Sequence, residues 1–203
     1  APSALERIPE GCFYRSLVYD QPDACRLEIR PIVKSIGKKA FSGCKNIGEL
    51  VLHPGLQSIG KCAFEECAGL KQLCIPDSVR QIDYAAFSDC NIKSLTFNAS
   101  SSLVAIGARV FMQNCIETLY LPDSILHMDN ECFRHNSLTS VRLPYNLRAV
   151  SRYCFADNRI LDYSNFRPNL VRFEDFAFAN NLLSSLQIPA SLEYIGKSSF
   201  AHN

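Results

Sequence analysis

The sequence predicts an α/β solenoid made by stacking short units, not a globule folded around one centre. Three observations predict it. Phe recurs as Phe13, Phe41, Phe64, Phe87, Phe111, Phe133, Phe155, Phe178 and Phe200, with spacings of 28, 23, 23, 24, 22, 22, 23 and 22 residues. A fixed period in the twenties marks a stacked repeat. Most units also carry L-x-L-P or a near variant, whose period of two is that of a short half-buried strand. Proline removes a ladder donor and ends the strand. Finally, an Ile followed four and five residues later by Ala-Phe lays an apolar stripe on about one helical turn. One unit cannot cover its own stripe, so it must stack on the next. With stacked strands ~4.8 Å apart, seven coil-to-coil steps predict a body about 34 Å long.

The units follow in order. Leu5, Ile8, Cys12 and Phe13 form the second half of one unit. The segment from Ser16 to Cys25 is longer than its counterparts and holds a turn-like Asp20-Gln21-Pro22-Asp23. Leu27, Ile29, Val33, Ile36, Ala40 and Phe41 open the regular series. It repeats through Leu50, Leu52, Ile59 and Phe64, then through Leu73, Ile75, Ile82 and Phe87. A polar insertion around Asn98-Ala99-Ser100-Ser101 interrupts the next unit, which rejoins at Leu103, Ile106 and Phe111. Regular units reach Phe133 and Phe155. The unit that follows is shifted by a residue at Asn165-Phe166-Arg167-Pro168 and recovers at Leu170. Leu186, Ile188, Ile195 and Phe200 close the series. The reading is one solenoid over residues 1–203 with eight to nine repeats.

The position three residues after Phe reads Ser16, Cys44, Cys67, Cys90, Asn114, Asn136, Asn158, Asn181 and Asn203. Each of these residues suits a place inside a turn. Asn offers two donors and an acceptor, and Cys is a small, mostly apolar residue with a weak donor. A ladder along the bend is expected.

Composition narrows the function classes. A net charge of +1 leaves no basic excess for a nucleic-acid face. No stretch reaches the length of an apolar membrane span; the sequence opens without a basic-then-apolar pattern and without Met, so its start says little about targeting. The cysteines number ten. In repeat register, Cys44, Cys67 and Cys90 lie in the ladder, and Cys12, Cys132 and Cys154 lie in the small slot before Phe. These six read as buried free thiols. Cys12 and Cys25 flank the first loop, and their pairing is left open. No C-x-x-C or zinc-type spacing is present, so no metal and no cofactor is expected. His53, His127, His135 and His202 fall in unrelated slots, and no nucleophile elbow, phosphate loop or H-E-x-x-H is found. The chain does not read as an enzyme. Asn98-Ala99-Ser100 is a glycosylation sequon, meaningful only in a eukaryotic secretory setting.

The recurrence of I-G-x-x-A-F-x-x-C with L-x-I-P-D-S-V at 22 to 24 residues resembles the BspA-like subclass of leucine-rich repeats over almost the whole chain. The resemblance implies a right-handed, horseshoe-like solenoid with a parallel concave sheet and short helical turns on the convex side. It implies a cell-surface or secreted protein attached to host or matrix proteins. The insertion at 98–102 and the irregular 163–168 depart from the pattern, and a kink or a broken sheet edge is expected there. Neither end shows a polar cap, so the natural protein is expected to continue, at least past Asn203.

In L-x-x-L-x-L the residues between the apolar positions point outward. One such column is Glu28, Val51, Cys74, Thr96, Tyr120, Arg142, Ser164 and Gln187. Its companion is Arg26, Glu49, Gln72, Ser94, Thr118, Ser140, Asp162 and Ser185. Tyr120 and Arg142 fall side by side among small Thr96, Thr118, Ser140 and Ser164. Tyr and Arg are over-represented among residues that dominate interface energy. The candidate binding set is therefore Glu28, Glu49, Val51, Gln72, Thr96, Thr118, Tyr120, Ser140, Arg142 and Gln187. The reading is a protein–protein interaction module for adhesion. The alternatives are a structural spacer or targeting domain of a larger protein, and a glycan-binding surface. A lone outward Tyr supports the glycan reading weakly.

Overall fold

Each L-x-L-P segment becomes a strand that stops before its proline, and each Ile slot becomes the second residue of a two-residue strand. The computed structural model describes residues 5–15, 24–163 and 169–203. The expectations at Ser16, Asp20 to Asp23, Ser164 and Asn165 to Pro168 lie outside these. In chain order the strands are β1 (Arg7–Ile8), β2 (Cys25–Ile29), β3 (Ser35–Ile36), β4 (Ile47–Leu52), β5 (Ser58–Ile59), β6 (Gln72–Ile75), β7 (Gln81–Ile82), β8 (Ser94–Phe97) and β9 (Ala105–Ile106). They continue as β10 (Thr118–Tyr120), β11 (His127–Met128), β12 (Ser140–Arg142), β13 (Ala149–Val150), β14 (Asp162–Tyr163), β15 (Arg172–Phe173), β16 (Ser185–Leu186) and β17 (Tyr194–Ile195). Every described pairing is parallel.

Two faces result. The odd-numbered strands form a short-strand face, with one ladder from β1 to β11 and another from β13 to β17. The even-numbered strands form a long-strand face, hydrogen-bonded in pairs as β2–β4, β6–β8, β10–β12 and β14–β16. Leu50, Leu73, Leu95 and Leu119 enter the core from the long strands, and Ile36, Ile59, Ile82 and Ile106 from the short ones. Between the faces runs the Phe column. Its nine rings stack from Phe13 to Phe200 with centroids 5.0 to 5.8 Å apart and planes within 22° of parallel. That spacing is close to the expected coil rise. The stack is the structural meaning of the period read from the sequence.

The expected helical turns are corrected. Among the described residues there is no helix. The reason lies in the bend around each Phe. The residues two before and two after Phe adopt positive φ in coil after coil: Cys62 and Glu66, Ala85 and Asp89, Arg109 and Gln113, Glu131 and His135. Such a conformation costs roughly 1–2 kcal/mol for a non-glycine residue, and it stops a helix. It turns alternate amides along the stacking axis. The amides of Lys39, Phe41 and Gly43 donate to the carbonyls of Lys61, Ala63 and Glu65 in the next coil at 2.9, 2.8 and 2.7 Å. The amides between them close three-residue turns within the coil, Ser42 to Lys39 and Cys44 to Phe41. A helix would spend all these donors on itself and leave the next coil unbonded.

The ladder three residues after Phe forms as expected, with two chemistries. Cys44, Cys67 and Cys90 donate through Sγ to the carbonyls of Phe13, Phe41 and Phe64, one coil back, at 3.0, 3.2 and 3.0 Å. Asn114, Asn136, Asn158, Asn181 and Asn203 donate through Nδ2 to the carbonyls of Phe87, Phe111, Phe133, Phe155 and Phe178 at 2.8 to 3.0 Å. Asn also accepts. Its Oδ1 takes the amides of Ile92, Ile116, Leu138, Ile160 and Leu183 from the preceding coil at 2.9 to 3.1 Å.

Five of the six cysteines expected to be buried are so: Cys44, Cys67, Cys90, Cys132 and Cys154. Cys12 is the correction. It is exposed, as is Phe13 at 38%, because the first described coil has a neighbour on one side only. Cys25 is a thiol as well. At the insertion, a turn closed by the Ser101 amide on the Asn98 carbonyl carries the extra residues outward. Leu103 is buried behind it and β7 pairs with β9 unbroken, so the short-strand ladder crosses the insertion.

Candidate functional site

The strand period places the two outward columns together on the long-strand face, and the register makes them neighbours. Arg26 pairs with Glu49 and Glu28 with Val51 across β2–β4. Gln72 faces Ser94 and Cys74 faces Thr96 across β6–β8. Thr118 faces Ser140 and Tyr120 faces Arg142 across β10–β12. Glu28, Glu49, Gln72, Thr96, Thr118, Tyr120, Ser140 and Arg142 are exposed, while Val51 is half-buried. Gln187 is exposed but lies just beyond β16.

The face has two regions of different character. At β2–β4, Arg26 reaches Glu49 at 3.1 Å and Glu28 at 2.7 Å, and His53 Nε2 lies 2.8 Å from Glu28. The bond to His53 and the Arg26 guanidinium hold the Glu28 carboxyl below its ordinary value. These charges are mutually engaged. The alternating columns place Arg26, Glu28 and Glu49 here, whereas His53, just past β4 and bonded to Glu28 alone, lies outside them.

At β10–β12 the character is hydroxyl and aromatic. Tyr120 is 67% exposed. Arg142 is bent toward the chain end of its neighbour, donating from Nη1 to the Leu121 carbonyl at 3.1 Å and from Nη2 to Asp123 at 3.0 Å. The other Asp123 oxygen accepts the Tyr145 amide at 2.8 Å. Asp123, one residue past the strand-ending Pro122, thus holds Arg142 in place beside Tyr120. Tyr145 is itself exposed. Neither Asp123 nor Tyr145 belongs to the alternating columns, and so the period-two pattern passed over both.

A second network runs along the bend. Arg109 bonds Tyr84 at 3.2 Å and Glu131 at 2.9 Å. Arg134 joins Glu131 at 3.3 Å to Asp157 at 2.8 Å, and Asn180 donates to Asp157 at 2.6 Å. Arg134 also lies over the Tyr153 ring, which stacks on Phe176 at 4.6 Å. Partial burial works to raise the Glu131 and Asp157 carboxyls, but the guanidiniums outweigh it and both sit below their ordinary values. The residues lie in bend positions that no single-unit pattern connects.

Among the described residues no three His, Cys, Asp or Glu side chains are placed to hold a metal ion. Among the same residues no helix is long and apolar enough to cross a membrane.

The fold is similar to that of bacterial leucine-rich-repeat proteins. A T. pallidum leucine-rich-repeat protein matches with a TM-score of 0.65 and 24% identity, over 85% of this chain and 73% of that one. The pneumococcal vaccine antigen PcpA matches at 0.54 and 22% identity, over 83% of this chain and 57% of that one. A Bacteroides ovatus leucine-rich-repeat protein matches at 0.51 and 16% identity, over 100% of this chain and 69% of that one. This chain therefore spans little more than half of the PcpA chain. No curated protein matches it. The model of the BspA type leucine-rich-repeat region matches in 6 copies over residues 1–105, 34–161 and 86–203. With the repeats, the Phe stack and these matches together, the chain belongs to the BspA type leucine-rich-repeat family.

Proposed function

We propose that this chain is a non-enzymatic protein-recognition module, working in adhesion to a host or matrix protein through its long-strand face. That face is the concave side in this reading, and the protein acts at the cell surface or after secretion. One observation carries the proposal. Tyr120 stands two-thirds exposed beside an Arg142 already fixed by Asp123, with Thr96, Thr118 and Ser140 exposed around them. Binding through pre-fixed side chains loses little rotamer entropy, which favours affinity. Exposed Tyr and Arg at the middle of a face are the residue types that dominate interface energies. The family membership supports an interaction role, and the family's surface proteins support the location.

The test is binding of the purified chain to an immobilised panel of extracellular-matrix proteins. Tyr120→Ala with Arg142→Ala should weaken the interaction by about thirtyfold or more, as for paired hot-spot residues, with the melting temperature unchanged. Retained affinity in that variant places the contact elsewhere. Absence of any matrix partner favours the spacer reading.

A further inference from the structure

The short-strand face carries a second concave feature, unrelated to the face discussed above. A cavity of about 480 Å³ opens over β1, β3, β5 and β7. That volume lies within the range of small-ligand sites. Three cations border it: Arg7, Lys38 and Lys61. One carboxylate, Asp83, stands in its lining.

The repeat explains how this space arises. Arg7, Ser35, Ser58 and Gln81 occupy one column in strict register along the short strands. Ser35 and Ser58 therefore present two hydroxyls at one-coil spacing, with Arg7 closing one end. Two positions later in each unit come Gly37 and Gly60. A side chain at Gly37 would begin 2.7 Å from the backbone of Ile8 and Glu10, and one at Gly60 only 2.8 Å from the Ile36 carbonyl. Packing thus demands glycine at both, and the floor between the serines and the lysines is bare. In the next coil that position is Asp83, which closes the other end. The cavity is two coils long because the small residues last for two coils.

The lining is charged, with three cations to one carboxylate. Lys38 Nζ lies 2.9 Å from Glu10, which is outside the lining, and Lys61 Nζ lies 4.7 Å from the Tyr84 ring centroid. The cations and the serine hydroxyls share the lining, and all of these groups donate hydrogen bonds. Asp83 accepts the Tyr84 amide through Oδ1 at 2.6 Å, and a carboxylate has a second oxygen with which to accept from a ligand.

We propose that this cavity binds an oxyanion carried on a hydroxylated scaffold, namely a sulfated or carboxylated saccharide. The anionic group meets Arg7, Lys61 and the two serines, and a ligand hydroxyl donates to Asp83. Affinity falls with ionic strength, because the contacts are exposed charges.

The experiment titrates the chain with three probes: a sulfated uronic-acid disaccharide, its desulfated and carboxyl-reduced counterpart, and sodium sulfate. Calorimetry reads the affinity. The sulfated disaccharide is expected to bind saturably, and the neutral counterpart is not. Arg7→Ala and Lys61→Ala should each weaken binding about tenfold, the size of one lost charge-assisted hydrogen bond. Both side chains are exposed, so an unchanged melting curve confirms the fold. Glu10→Gln should strengthen binding a few-fold by releasing Lys38. Asp83→Asn separates the two halves of the idea. It should weaken the disaccharide, which loses an acceptor, and strengthen sulfate, which loses a repulsion. No saturable binding of any probe overturns the site, as does full affinity in Arg7→Ala and Lys61→Ala together. Equal affinity for sulfate and the disaccharide, with Asp83→Asn strengthening both, overturns the saccharide. Tyr120→Ala should leave these titrations unchanged, so this site and the long-strand face fail or stand separately.

Discussion

Asn136 donates to the Phe111 carbonyl and accepts from the Ile116 amide, and that double role explains why Cys and Asn share one column without being equivalent. In the early coils the step from Cys44 to Ile47 and from Cys67 to Leu70 is three, and the amides of Ile47 and Leu70 turn back to their own Cys carbonyls. From Cys90 onward the step to the next apolar residue shrinks to two, as in Cys90 to Ile92 and Asn114 to Ile116. The amide then has no partner in its own coil, and the next coil must bring a carbonyl oxygen. Only Asn does. Asn136→Cys should therefore leave the buried Ile116 amide unsatisfied and cost about 1–3 kcal/mol in chemical denaturation. Cys67→Ala removes only a weak donor and should cost less. The bends also expose a missed signal. Of the nine positions two after Phe, six are Gly43, Asp89, His135, Asp157, Asn180 and His202, the types that best tolerate positive φ, and three are Arg15, Glu66 and Gln113. That column favours left-handed turns, whereas the Ala-Phe stripe alone suits a helix equally well, because turn and helix share a spacing over one turn. Thiol chemistry belongs at this scale too. Burial pushes Cys67, Cys90 and Cys154 up, and burial with Glu65 beside it pushes Cys62 up to about 11. Native alkylation followed by mass spectrometry should label exposed Cys12 and Cys74 first, and Cys67, Cys90 and Cys154 only on unfolding. Equal labelling of Cys90 and Cys74 would contradict the ladder.

At the scale of elements, the bends depend on side chains that cross coils. The chain Arg109–Glu131–Arg134–Asp157 links three successive bends. Glu131 and Asp157 are only 16% and 18% exposed at the side chain, so salt screens these pairs less than surface ones. Both carboxyls are depressed in the folded state. Their contribution is present above the ordinary values of 4.5 and 3.8 and is lost as pH falls through them toward the folded values. Glu131→Gln should cost roughly 1–2 kcal/mol near neutrality. The stability gap between wild type and variant should close as pH falls below about 4.5. Thermal melts from pH 7 to pH 3 measure it, and a constant gap would mean that Glu131 matters by packing alone.

Across the whole molecule, each coil touches its two neighbours, so the position of a defect matters as much as its size. Stability in such a stack is nearly a sum of unit and nearest-neighbour terms. Phe87 has ring partners on both sides, at 5.1 and 5.8 Å. Phe87→Ala should cost about 3–5 kcal/mol through its core cavity. Phe200, half-exposed in the last coil, should cost clearly less on truncation. Equal losses in the two variants would refute the linear picture. The same linearity makes function a property of columns. Tyr120 was legible because period two and period twenty-two together assign it a face. Asp123, which fixes Arg142, was not legible, because a contact between a loop and the next strand leaves no periodic trace.

The sequence by itself determined the repeat, its register, the apolar columns and the outward direction of Glu28, Thr96, Tyr120 and Arg142, because each follows from a spacing. The tertiary structure alone decided that the bends are left-handed turns and not helical ones, since that choice turns on where alternate amides find acceptors in the next coil. It alone decided that Arg142 is anchored and that Arg7, Lys38, Lys61 and Asp83 surround one cavity. Those facts depend on side-chain reach between coils, which depends on packing and not on period.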